Sequence, residues 1–241
     1  MPPIPKRELK PVTSWSFSRW SAYTECPQKF KFSVLMKMPE GPKGPALIRG
    51  DAIHKAAEAY VKGQVAKLDP ELNPIKDELK RLRAKFKKSP DQMVVEDNWA
   101  FTHIWGPSRW DDWTGCWVRI KLDLAEITKN KVEITDYKSG KFREDNKDSY
   151  MLQQELYGLG ALLTFKDIPD LEVSARLLYT DHNITYPDPP VTYTLADLPR
   201  LKKEWEKRVK PMFVDKKYAP RPNNNCRFCH FRKANNGPCQ Y

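Results

Sequence analysis

The chain has 241 residues, which is enough for one substantial hydrophobic core, alone or with a small appendage. Its 42 Lys and Arg residues exceed its 31 Asp and Glu residues, and the net charge of +11 favours a polyanionic partner such as nucleic acid. Because no apolar run approaches the roughly 20 residues of a spanning helix and residues 1–15 lack the apolar segment of a secretory signal, we expect a cytoplasmic protein without a membrane partner.

Residues 1–13 are rich in Pro and Lys and predict a flexible N-terminal arm. The segment 14–35 then predicts a helix, for which Ser16 or Ser18 is a suitable cap. Pro27 lies inside this segment, where it is predicted to interrupt the helix because its backbone nitrogen cannot donate a hydrogen bond.

A loop over residues 39–45 precedes a second predicted helix, which starts near Gly50. On this helix His54 and Glu58 lie one turn apart on the same face. A single helical histidine is more often structural than a metal ligand, so these residues alone leave both interpretations open.

A strongly basic amphipathic helix is predicted over residues 73–88. Its buried stripe consists of Ile75, Leu79, Leu82 and Phe86. Its Lys and Arg side chains, which begin at Lys76 and end at Lys88, could line a track for phosphates. A solvated basic face fits the same pattern equally well.

Residues 93–101 predict a strand, and a tryptophan-rich segment overlaps its end and continues to the next strand. The tryptophans are Trp99, Trp105, Trp110, Trp113 and Trp117. Packing against the sheet is the favoured interpretation, and stacking on unpaired bases is the alternative.

Two further strands, residues 117–127 and 132–138, are predicted to form a hairpin that turns at Lys129-Asn130. Alternation in the first strand predicts one shared apolar face. Its members are Val118, Ile120, Leu122 and Leu124.

This hairpin register places Asp123 opposite Asp136, with Lys138 one step further along the same face. Two carboxylates about 5 Å apart repel each other unless a divalent cation lies between them. A slip of one residue would put the carboxylates on opposite faces, so an exposed hairpin with scattered charges remains an alternative for this stretch alone.

The C-terminal half predicts a helix over residues 149–163, strands over 171–180 and 191–195, and a helix that Asp197 caps and that runs to about Met212. The order of these elements predicts an α/β (α+β) fold with a central mixed β-sheet flanked by helices.

The odd number of cysteines, five, favours a metal or cluster site over disulfides. Cys226 and Cys229 have a spacing with which two thiolates hold one metal. The candidate ligands are Cys26, Cys226, Cys229 and Cys239, with His230 as an alternative ligand to zinc. Cys116, at the start of the central strand, is predicted to be a buried structural thiol.

The Asp136-Tyr137-Lys138 segment, with Asp123 before it, resembles the signature of the PD-(D/E)XK nuclease superfamily. Gln153 and Tyr157 have the Q-x-x-x-Y spacing of its RecB-like members, and the segment from Gly50 to His54 resembles their histidine-bearing helix. Together with the cysteines, these motifs are similar to those of the iron-sulfur branch, which includes CRISPR-associated and AddB-type exonucleases. The resemblance spans about residues 14–239.

This resemblance implies a restriction-endonuclease-like nuclease core over residues 14–215 and a cysteine segment over 216–241 that packs with the Cys26 region. It implies Mg²⁺ or Mn²⁺ held by His54, Asp123, Asp136 and the Tyr137 carbonyl, and a 4Fe-4S cluster, with Zn²⁺ as the alternative at the cysteines. The implied catalytic residues are Asp123, Asp136, Lys138, Gln153 and Tyr157.

We therefore expect a metal-dependent deoxyribonuclease, an exonuclease on single-stranded DNA or DNA ends in recombination, repair or replication. Its expected partners are DNA and recombination or replication proteins, in a bacterial, archaeal or virus-infected cell. A DNA-end-binding protein that does not cleave is the alternative, and a zinc-stabilised transcription factor is a third candidate.

Overall fold

A five-stranded mixed β-sheet lies at the centre of the computed structural model, which describes residues 10–241. The strands follow chain order across the sheet, and only the third and fourth are parallel. They are β1 (Met93–Phe101), β2 (Val118–Thr128), β3 (Lys131–Lys138), β4 (Glu172–Tyr179) and β5 (Ile184–Thr194). The predicted α/β fold with a central mixed sheet is confirmed. Most of the predicted arm, residues 1–9, lies outside the described residues.

Six α-helices accompany the sheet in the described part of the chain. They are α1 (Phe17–Glu25), α2 (Pro27–Phe30), α3 (Pro45–Val61), α4 (Lys76–Lys88), α5 (Lys147–Thr164) and α6 (Leu198–Val214). Helix α5 connects the parallel strands β3 and β4, which need a long crossover. None of these helices combines the length and the apolar character that a membrane crossing requires.

Two hydrophobic cores cover the two faces of the sheet. Helices α1, α5 and α6 pack on one face, where Trp205 is fully buried and stacks on Trp15 with ring centroids 5.3 Å apart. Helices α3 and α4 pack on the other face, with Leu79 and Leu82 fully buried. Burial on both faces fixes the sheet between its two helical layers.

The first predicted helix starts later than its sequence pattern suggested. Ser14 and Trp15 are extended, because the Trp15 N–H donates to the Trp117 carbonyl at 2.7 Å and pairs this segment with the start of β2. Ser16 then caps α1, as predicted, and its side chain accepts a hydrogen bond from the Arg19 N–H. The predicted break at Pro27 is confirmed, since α2 starts there.

Two other predicted boundaries were wrong for identifiable reasons. Helix α3 starts at Pro45 rather than near Gly50, because proline suits the first helical position. Strand β5 starts at Ile184 and contains three prolines, which are tolerated because β5 is an edge strand. Asp197 is the N-cap residue of α6, as predicted, but its side chain bonds elsewhere: its carboxylate accepts the Thr194 N–H at 2.9 Å in the short turn before the helix.

Helix α4 has the predicted apolar stripe, but part of its basic face is not available for phosphates. Arg81 lies 2.6 Å and Lys85 2.9 Å from the carboxylate of the buried Glu126 on β2. A buried carboxylate requires such partners, so these two cations hold α4 on the sheet.

Candidate active site

The β2–β3 hairpin has the register that the sequence predicts. The chain turns at Lys129-Asn130, and the paired residues run from Thr128 with Lys131 to Leu124 with Thr135. The next pair in this register is Asp123 and Asp136. At that position the Tyr137 N–H donates to Asp123 Oδ2 at 2.8 Å, so the carboxylate takes the place of a backbone acceptor.

Strands β1 and β2 both change faces where Glu96 lies across from Asp123. The pairs on either side, Val95 with Leu124 and Asp97 with Leu122, place these two residues opposite each other, and Glu96 has a φ of +50°. The residues that pack in the α3–α4 core are Met93, Val95 and Leu124, whereas Trp99, Phe101 and Leu122 pack in the opposite core. The predicted common face for Leu122 and Leu124 was therefore wrong.

Asp123 and Asp136 are both buried, with 6% and 3% of their surface exposed. Burial raises the pKa of Asp123, and the negative charge of Asp136 raises it further. Lys138 Nζ lies 2.7 Å from Asp136 Oδ2, and the charge of Asp136 holds the lysine pKa above its ordinary value although burial opposes this. The predicted carboxylate pair and lysine thus meet in the structure.

His54 reaches this pair from α3. Its Nδ1 lies 3.1 Å from Asp123 Oδ1 and 3.8 Å from Glu96 Oε1. Burial would lower the pKa of this imidazole, but the hydrogen bonds to Asp123 and Glu96 raise it to about 10. Glu58, the carboxylate expected one turn from His54, instead forms an ion pair with Lys62 at 2.7 Å.

Glu96 is a site residue that the sequence analysis missed. One ligand atom from each of His54, Glu96 and Asp123 lies within 4.8 Å of the others. The signal lay in the β1–β2 pairing, where Glu96 faces Asp123. A hairpin with a two-residue turn has a readable register, but the long connection between these strands has none.

This donor set fits a divalent cation. Carboxylate oxygens with one imidazole suit Mg²⁺ or Mn²⁺, and the buried Asp136 Oδ2 has no hydrogen-bond donor of suitable geometry. Side-chain cations otherwise balance the carboxylates, since Lys121 Nζ lies 2.9 Å from Glu96 Oε2 and Lys138 lies against Asp136. His54, Glu96 and Asp123 line an open cleft beside this centre.

Helix α5 delivers Gln153 and Tyr157 to the same centre. The Tyr157 hydroxyl donates to Asp136 Oδ1 at 2.7 Å, and Gln153 Nε2 donates to the Tyr157 oxygen at 3.0 Å. Burial and the charge of Asp136 raise the pKa of Tyr157, so the phenol stays protonated and remains a donor. This chain fixes the orientation of the Asp136 carboxylate.

The four candidate cysteine ligands line one cavity at the C-terminal segment. Each of these thiols is partly buried and none forms a disulfide; they are Cys26, Cys226, Cys229 and Cys239. Among residues 10–241, no three of their sulfurs lie within 4.8 Å of one another. His230 does not line the cavity, and its ring packs against Gly41. Cys116 is buried at 2% exposure, as predicted.

Residues 14–234 match the sequence profile of the PD-(D/E)XK nuclease superfamily. The chain belongs to this superfamily. This PD-(D/E)XK protein has an Asp-x-Lys segment, Asp136-Tyr137-Lys138, at the end of β3, and the restriction-endonuclease-like fold expected from the resemblance is confirmed. The match identifies the PD-(D/E)XK superfamily and not a branch within it.

Two crystal structures are similar to this PD-(D/E)XK protein over most of their length. One is that of SSO0001, with 14% identity and a TM-score of 0.40 over 93% of this chain and 86% of that chain. The other is that of a predicted exonuclease from Eubacterium rectale, with 11% identity and a TM-score of 0.48 over 95% and 90%. No curated protein matches the sequence.

Proposed function

We propose that the chain is a metal-dependent deoxyribonuclease that hydrolyses phosphodiester bonds at the Asp123–Asp136 centre. The observation that carries this proposal is the meeting of two buried carboxylates with Lys138 and His54 at the end of the β2–β3 pairing. Carboxylates facing a phosphate would repel it, so a cation between them is required. The superfamily membership supports the same chemistry.

The residues that would hold Mg²⁺ or Mn²⁺ are His54, Glu96, Asp123, Asp136 and the carbonyl of Tyr137. When bound, such a cation lowers the pKa of a coordinated water and offsets negative charge on the phosphate. Lys138, kept protonated beside Asp136, would stabilise the charge that builds on the phosphate oxygens. Tyr157 and Gln153 are positioning residues, because they act on Asp136 through hydrogen bonds.

The finer assignment follows the resemblance to RecB-like nucleases. We infer exonuclease action on single-stranded DNA or DNA ends, in recombination, repair or replication and alongside proteins of those processes. Residues 14–215 would form the nuclease core. The segment 216–241 would join the ends of that core, an idea supported by the hydrogen bond from Asn225 Nδ2 to Glu25 Oε1 at 2.6 Å, beside Cys26.

A 4Fe-4S cluster is the proposed occupant of the cysteine cavity. Four thiolates around one zinc, each about 2.3 Å from the metal, would bring the sulfurs to about 3.8 Å from one another. Among residues 10–241, no three of the sulfurs of Cys26, Cys226, Cys229 and Cys239 lie within 4.8 Å of one another, which supports a larger group such as an iron-sulfur cluster. Zinc in the purified protein would contradict this part of the proposal.

Cleavage of end-labelled single- and double-stranded DNA by anaerobically purified protein tests the activity. We expect degradation with Mn²⁺ or Mg²⁺, none with EDTA, and a loss of about 10²–10³-fold in Lys138→Ala. Lys131→Ala is the matched control, because Lys131 lies at the other end of β3 and pairs with Glu172 on the surface. Binding without cleavage under every metal condition would refute the enzyme and support a DNA-end-binding protein.

A further inference from the structure

A second groove adjoins the candidate active site. It shares Lys121 and Tyr157 with the candidate catalytic cleft, so these two side chains lie between the groove and the cleft. The groove runs between the start of α1, the tryptophan-rich loop, the start of β2 and the middle of α5. Its lining includes Arg19, Trp110, Trp113 and Arg119.

The tryptophan-rich segment divides into core residues and groove residues. Trp99 and Trp105 are buried, as the packing interpretation predicts. Trp113 is 77% exposed and Trp110 is 38% exposed, which is costly for large apolar rings in water. The Arg119 guanidinium lies 5.0 Å from the centre of the Trp113 ring and stiffens this arrangement by a cation–π contact.

Two arginines meet beside these rings. Arg19 Nη1 lies 3.1 Å and Arg119 Nη1 lies 2.8 Å from the same oxygen, Ser14 Oγ. Among residues 10–241, no carboxylate forms an ion pair with either guanidinium. Burial and the charge of Arg119 both lower the pKa of Arg19, the sign of repulsion between like charges. An anion placed between the two would relieve this repulsion.

We propose that this groove binds an unpaired DNA strand and leads it to the catalytic carboxylates, an inference that rests on the proposed nuclease function. Trp113 stacks on a base, and Arg19 with Arg119 holds a phosphate. Bases inside a duplex are already stacked on their neighbours and cannot cover an indole, so the tryptophan favours an unpaired strand over the interior of a duplex.

The spacing along β2 matches this path. Arg119, Lys121 and Asp123 follow one another at two-residue intervals, so about 13 Å separates the phosphate-binding end from the catalytic end. A neighbouring depression, which includes Lys10 and Lys37, also shares Arg19 and Trp113. Positive side chains therefore continue beyond the tryptophan, on the side away from the catalytic centre.

Binding of a fluorescein-labelled oligodeoxythymidine, measured by anisotropy in the Lys138→Ala background over a range of salt, tests the proposal without cleavage. Trp113→Ala is expected to weaken binding by about tenfold or more, the cost of one lost stacked base. Arg19→Gln with Arg119→Gln should lower the salt slope by about 0.7, because the contact with one phosphate is lost. The matched controls are Phe228→Ala, a ring that is 69% exposed in the cysteine segment, and Lys88→Gln on α4.

If Trp113→Ala binds the single strand as tightly as the parent protein, the proposal is overturned. It is also overturned if the substitution weakens binding to blunt duplex DNA as much as binding to the single strand. Arg119 also donates to the Trp110 carbonyl, so the double variant could lose its fold; the exposed Trp113 side chain carries the test in that case. Binding is measured in a cleavage-deficient background, so the two proposals are tested independently. A wild-type protein that does not cleave DNA would refute the proposed function, whereas the binding affinities alone decide whether the groove holds DNA.

Discussion

Binding of Mn²⁺ should release about one proton from His54 near pH 7. The metal needs the neutral imidazole, whereas Asp123 and Glu96 raise the His54 pKa to about 10 in the metal-free site. At pH 7 only about one imidazole in 1,000 is then neutral. The His54 pKa lies about three units above pH 7, and each unit corresponds to about 1.36 kcal/mol, so removing the proton weakens metal binding at pH 7 by about 4 kcal/mol.

The sign of the pH dependence follows from this shift. Affinity for Mn²⁺ should rise about tenfold per pH unit from pH 7 towards pH 10. The metal-free protein should show the opposite trend, because the His54 ion pair stabilises it fully below pH 6.5 and is lost as pH rises through about 10.

Calorimetric titration at pH 7 in buffers of different ionisation enthalpy measures the released protons. His54→Gln should release close to none and should bind Mn²⁺ more weakly. An ordinary imidazole with a pKa of 6.5 would be about one quarter protonated at pH 7. A release near 0.25 proton in the unaltered protein, with affinity flat above pH 7, would refute this account of His54.

Three further outcomes follow from the site. Glu96→Gln removes one anionic ligand and should raise the Kd for Mn²⁺, measured by calorimetry, at least about tenfold. Glu58→Gln, on the wall of the same cleft, should change the Kd little, and equal effects of the two substitutions would show that Glu96 is no ligand. Tyr157→Phe removes a hydrogen bond to the buried Asp136 carboxylate, and this bond contributes about 2 kcal/mol to the free energy of unfolding. Calorimetry should therefore show a Tm lower by about 4–8 °C, and an unchanged Tm would contradict the Asp136 contact. Cys229→Ser should lower iron per protein and the visible absorption of anaerobically purified protein, with Cys116→Ser as the matched control; iron unchanged in Cys229→Ser would remove it from the ligand set.

The predictable part of the site depended on local geometry. A two-residue turn fixes the pairing of a hairpin, so Asp123 and Asp136 could be placed opposite each other from the residues alone. The i and i+4 spacing likewise placed Gln153 and Tyr157 on one face of α5, and their hydrogen bond confirms it.

The remaining features depend on long-range packing that no short pattern encodes. Glu96 comes from a strand whose pairing with β2 is set by a long connection, so its position could not be read. The change of faces at Asp123 breaks the alternation that strand prediction assumes, which misplaced Leu124. The convergence of Cys26 with the C-terminal cysteines joins opposite ends of the chain, and only the family resemblance predicted it.

Because β3 lies at the centre of the sheet, its backbone should open to solvent less often than the tryptophan-rich loop. This strand pairs with β2 as far as Thr135 and with β4 along its whole length, including Asp136 and Lys138, so its amides should exchange more slowly than those of the surface loops. Trp110 and Trp113 lie in a surface connection between strands, where local opening needs little free energy. In the proposed complex with a DNA strand, the loop would adjust to successive nucleotides while Asp123 and Asp136 keep their positions.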